Sequence, residues 1–76
     1  MNIHLGGHLN QYEPHKRSDL KISLTEPMPL VDLILRLRIP EGEIMLVVLN
    51  GELTNLGDTH VEDQDRLDLY PPLGGG

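Results

Sequence analysis

With 76 residues, a net charge of −6 and no cysteine, the chain has room for one small core and none for a disulfide, a zinc-thiolate site or a cysteine nucleophile. Six Lys and Arg against twelve Asp and Glu weigh against phosphate-backbone binding, so no nucleic-acid partner is expected and a basic protein partner is the natural complement. No run of about 18 apolar residues exists to span a bilayer, and "MNIHLGG" lacks the charged-then-apolar layout of a secretion signal, so a soluble cytoplasmic protein off the membrane is expected.

The elements follow in chain order. "NIHL" reads as a short strand that ends at Gly6-Gly7. The polar stretch "NQYEPHKRSD" then leads to "LKISL", where Leu20, Ile22 and Leu24 alternate with Lys21 and Ser23, making a hairpin with a long connection. In "TEPMPLVDLILRLRIPEG", Leu30, Leu33, Ile34 and Leu37 recur at i, i+3, i+4 and i+7, one face of a helix. Pro29 suits the first helical position, and Pro40 closes the helix before a Glu41-Gly42 turn. Ile44 to Leu49 is a continuous apolar strand bounded by Asn50-Gly51, a strong hairpin signal because both residues tolerate positive φ. "ELTNL" is its brief partner. "GDTHVEDQD" is a turn-rich connection with room for one short helical turn, and "RLDLY" alternates again before Pro71 and Pro72 end the ladder.

Hairpin, helix, strand, short strand, strand is an α+β order most economically satisfied by a mixed four- to five-stranded sheet packed on one helix, the β-grasp or ubiquitin-like architecture. A ferredoxin-like sandwich needs a second helix of about 10 residues, for which "GDTHVEDQD" is too short and too polar. Residues 1–72 are expected to form the domain, with residues 73–76 as a flexible C-terminal glycine tail. Tyr12 and Tyr70 are the only aromatic residues, so Leu, Ile and Val must supply the core.

Side-chain chemistry is sparse. His4 and His8 straddle Gly6-Gly7 at the end of a strand rather than lying on a helix, His15 and His60 are scattered, and none has cysteine partners, so no metal is expected. Glu62, Asp63, Asp65 and Asp68 read as a solvated acidic turn rather than an acid-base pair. Ser18 and Ser23 have no nucleophile setting, and the terminal glycines open no helix that could hold phosphate. The apolar run Ile44 to Leu49 is more informative. Only one face of a β-grasp sheet meets the helix, so alternate members of the run point to the other face and offer a partner surface, unless the long polar loop covers it.

"GHLNQYEP", "PLVDLILRLRIP", "VVLNGEL" and "VEDQDRLDLYPPLGGG" together resemble the MoaD/ThiS family of ubiquitin-like sulfur carriers along essentially the whole chain. The long connection from Gly6 to Asp19 is more like the MoaD branch, the small subunit of molybdopterin synthase, than the ThiS branch of thiamin synthesis. Two residues depart from the family pattern: Gln64 and Arg38 stand where glycine is usual, and both positions would favour positive φ.

The resemblance implies a carrier rather than an enzyme. Its reactive group would be the α-carboxylate of Gly76, adenylated with ATP by a ubiquitin-activating-type enzyme and converted by a sulfur donor to a thiocarboxylate. Sulfur would pass to the pterin precursor of a molybdenum or tungsten cofactor inside the larger synthase subunit. No stably bound cofactor is implied, since the activating enzyme uses the ATP. Gly74, Gly75 and Gly76 are narrow enough to thread into an enclosed site, Leu73 can dock as a small apolar anchor, and Pro71 and Pro72 favour an extended exit. The alternatives are a carrier for thiamin or another metabolite, a ubiquitin-like protein modifier, and an interaction module with an idle tail.

Overall fold

The structure is a computed structural model and describes residues 1–72. The chain runs through β1 (Asn2–Leu5), β2 (Asp19–Lys21), β3 (Met28–Pro29), α1 (Leu30–Leu37), β4 (Leu46–Leu49), β5 (Glu52–Thr54), β6 (His60–Val61) and β7 (Arg66–Tyr70). Among the described residues the main sheet has the order β2-β1-β7-β4-β5, and β3 pairs with β6 in a separate two-stranded ladder. β1 and β7 are parallel, while the β1–β2, β4–β5 and β4–β7 pairs are antiparallel. This is the mixed sheet on one helix expected of a β-grasp.

Register decides which side chains enter the core. Ile3 pairs with Leu67 and Leu5 with Leu69 across the parallel ladder, and Val47 pairs with Leu69 across the antiparallel one. These residues share one face and are all buried, and α1 covers them with Leu30, Leu33 and Ile34. The buried cluster is aliphatic throughout.

The helix signal holds, with shifted ends. Pro29 is the N-cap in extended backbone (φ −61°, ψ 140°) rather than the first helical residue, because Met28-Pro29 is already committed to β3. The helix stops at Leu37, before Pro40, in a Schellman motif: Ile39 N–H donates to the Ile34 carbonyl (3.4 Å) and Arg38 N–H to that of Leu35 (3.1 Å). Arg38 therefore takes the left-handed conformation (φ 60°, ψ 32°), as the family pattern predicts for a glycine position. Gln64 does not, so the acidic turn closes without positive φ there.

Other expectations need correction. The long first connection contains a 3-10 helix, Gly7–Tyr12, whose Leu9 reaches the core. "GDTHVEDQD" holds no helical turn; it contributes β6, whose pairing with β3 satisfies backbone groups that a helix would otherwise have served. The apolar strand begins at Leu46 rather than Ile44, since the 3-10 turn Glu41–Glu43 occupies the chain just before it. Asn50 (φ 53°) and Gly51 (φ 85°) form the expected left-handed turn.

Candidate functional site

The chain leaves the domain at the end of β7, where Tyr70 leads into Pro71 and Pro72. Of the predicted partner-binding residues, Pro71 is half-buried and Pro72 exposed. Leu73, Gly74, Gly75 and Gly76 lie outside the described residues, as does the expected flexibility of that segment.

A glycine pair forms the seat of this exit. Gly6 N–H donates to the Leu69 carbonyl at 2.7 Å, which holds its backbone against β7. A Cβ at Gly6 would overlap Tyr70 Cδ1 and lie 3.0 Å from the Leu69 carbonyl oxygen. Gly7, at φ 52°, would set a Cβ 2.6 Å from Pro71 Cγ. On the other side Met45 N–H donates to the Tyr70 carbonyl at 2.8 Å. Tyr70 is thus held from both flanks, and Pro71 packs against Gly7. Reading Gly6-Gly7 as a strand end missed this role; their partner is some 60 positions away, and only the residue type hinted at a close approach.

Beside the exit lies the sheet face opposite α1. Leu46 pairs with Tyr70, Val48 with Asp68 and with Leu53, and His4 with Asp68, which places these side chains on that face. Leu46 is 45% exposed, Leu53 71% and Tyr70 36%, so the described part of the polar loop leaves the face open. The His4 and Tyr70 rings stand 6.1 Å apart in a tilted arrangement.

Asp68 is a correction to the acidic-turn reading. It is only 8% exposed, and its Oδ1 accepts no hydrogen bond among the described residues, with Arg66 Nε 3.6 Å away. It sits in the middle of the open face because β7 alternation points it away from the core. The rest of the cluster is structural. Asp65 accepts from Glu62 N–H and from Asn50 Nδ2, while Asp63 accepts from Leu24 N–H. That backbone bond, helped by the nearby N-terminal ammonium, holds the Asp63 carboxyl below its ordinary range.

Each of two histidines meets a single carboxylate: His4 Nδ1 lies 2.9 Å from Asp19 and His8 Nε2 3.1 Å from Glu43. Among the described residues no three His, Cys, Asp or Glu side chains gather as metal ligands would, and no helix is long and apolar enough to cross a membrane.

A model of the ThiS family matches residues 6–76. The fold is similar to the crystal structure of the thiamine biosynthesis protein ThiS from Geobacter metallireducens, with 24% identity, a TM-score of 0.59 and complete coverage of both chains. It is also similar to the NMR solution structure of a thiamine biosynthesis protein from the same organism, with 25% identity and a TM-score of 0.56, over all of this chain and 88% of that one. No curated protein sequence matches.

Proposed function

The chain belongs to the ThiS family of ubiquitin-like sulfur carriers, whose members work with an adenylating enzyme and a sulfur donor and are not themselves enzymes; from that premise we propose that its reactive group is the Gly76 carboxylate. What carries the reading is that the family match extends through Gly76 and so includes the glycine tail. In the proposed cycle a Gly76 carboxylate oxygen attacks the α-phosphorus of ATP and pyrophosphate leaves. A sulfide equivalent from the donor then attacks the acyl carbon, AMP leaves, and the product is a thiocarboxylate. The partners supply the catalytic groups; this chain supplies the acyl carbon and a mount that presents it.

The mount is the clamped exit together with the open face. Glycines offer no Cβ to obstruct a narrow channel. Leu46, Leu53 and Tyr70 provide apolar area for an adenylating enzyme to cover. A basic partner surface also suits the charge of −6.

For the acceptor, the thiamin pathway is the reading that the similar structures favour, since both are described as thiamine biosynthesis proteins. Delivery to molybdopterin, with a larger synthase subunit as partner, is the second reading. The long β1–β2 connection with its 3-10 helix favours it. Complementation of a thiamin-requiring strain against one lacking molybdenum-cofactor sulfuration separates the two.

The carrier chemistry is tested by intact mass after incubation with a cognate adenylating enzyme, ATP and a sulfur donor. The expected product is heavier by the difference between sulfur and oxygen. A variant with one residue added after Gly76 should fold and remain unmodified; adenylation of that variant would overturn the proposal. Isopeptide adducts on lysines would instead support a protein modifier.

A further inference from the structure

A cleft of about 540 Å³ lies between β2 and the C-terminal half of α1, away from the open sheet face. Leu5, Leu20, Ile22, Leu37 and Ile39 give it an apolar lining. Arg17, Lys21, Arg36 and Arg38 also line it, four of the six cations of the chain, against the single carboxylate of Glu13. The charged lining is net positive in a chain of net −6. Arg17 is already engaged, since its Nη2 lies 2.8 Å from Glu13 Oε1. No ion pair among the described residues uses Lys21, Arg36 or Arg38.

The strand bordering the cleft is an edge. β2 ends the sheet order and bonds only to β1. Ile22 N–H donates to the Met1 carbonyl and Leu5 N–H to that of Ser18, so residues 18, 20 and 22 turn their backbone groups toward β1. Asp19 and Lys21, between them, turn N–H and C=O outward, and neither has a backbone partner there among the described residues. Arg38 adds a third observation. A left-handed position that glycine would occupy without strain carries instead a long cationic side chain beside the cleft.

We propose that this cleft binds an extended, aliphatic and acidic segment of a partner protein, which adds to β2 as a further strand. Backbone groups of the segment would pair with Asp19 and Lys21. Its alternate aliphatic side chains would enter the apolar lining, and its carboxylates would meet Arg36 and Arg38. An extended peptide satisfies all three features at once, whereas a small anion would use only the cations. The inference is independent of the sulfur-carrier reading, because the cleft is neither the chain exit nor the open face; an idle tail would leave it standing.

The test is a titration of the isotope-labelled chain with a capped synthetic peptide of about four alternating Val and Ile residues followed by about four glutamates. Expected results are amide shifts confined to residues 18–23 and 36–39, slowed exchange of the Lys21 amide, and affinity that falls as salt rises. The R36E/R38E double variant should bind about tenfold more weakly or worse. Arg38→Gly, which relieves the backbone while removing the charge, should also weaken binding and guards against misfolding of the charge reversal. A charged edge also serves simply to block self-pairing. Failure of the peptide to shift these amides, or equal binding of oligoglutamate without the aliphatic residues, would overturn the proposal.

Discussion

Gly6 and Tyr70 approach so closely that position 6 has no space for a side chain: a Cβ there would overlap the Tyr70 ring and press on the Leu69 carbonyl oxygen. Gly6→Ala should therefore destabilise the domain by about 1–3 kcal/mol, since either β7 or the 3-10 helix must shift. A lower urea midpoint with an unchanged slope is the expected signature. Tyr70→Ala in the same chain should recover only part of the loss, because the Leu69 carbonyl remains.

Arg38 gives the opposite sign. Its left-handed backbone closes α1, and glycine adopts that conformation without the Cβ clash. Arg38→Gly should stabilise the fold by about 1 kcal/mol, read as an increase in the thermal or urea midpoint. Arg38→Ala, which keeps the Cβ, should give no such gain.

Glu13 links stability to acid. It is buried, its carboxylate accepts from Arg17 Nη2 and from the backbone N–H of His15 and Arg17, and its pKa falls from the ordinary 4.5 to about 2, first of all through the Arg17 side chain. A carboxyl with a lower pKa in the folded chain contributes stability above its unfolded value of 4.5, and that contribution disappears as pH falls towards 2. Asp63 acts in the same direction. Melting curves of wild type and Glu13→Gln should differ by a constant amount above about pH 5 and converge towards pH 2. A gap that stays constant to pH 2 would contradict this linkage.

The open sheet face yields a contrast between three exposed leucines. Leu46 and Leu53 stand on it, whereas Leu35, 70% exposed, lies on the outer side of α1. All three should accept Glu with little loss of stability. Leu46→Glu and Leu53→Glu should each lower kcat/KM for adenylation by a cognate activating enzyme by about tenfold. Leu35→Glu should leave it unchanged. Equal effects from all three would remove the open face from partner binding.

Much of the architecture is legible in local patterns. The helix follows from Leu30, Leu33, Ile34 and Leu37, and the central hairpin from Asn50-Gly51, because both signals lie within one or two turns of chain. The β3–β6 ladder is not legible in this way. Two residues at 28–29 pair with two at 60–61, and a two-residue strand has no periodicity to detect.

Periodicity and turn chemistry are properties of neighbouring residues, so they specify α1, the strands of the main sheet and the central hairpin. The tertiary structure alone decided what those elements meet. It set Gly6-Gly7 beneath Tyr70 and Pro71, buried Asp68 beside Arg66 with an Oδ1 that accepts no hydrogen bond among the described residues, and gathered Arg17, Lys21, Arg36 and Arg38 along one cleft. The physical reason is that β1 and β7 are parallel neighbours some 60 residues apart, so closing that ladder juxtaposes side chains that no local pattern connects.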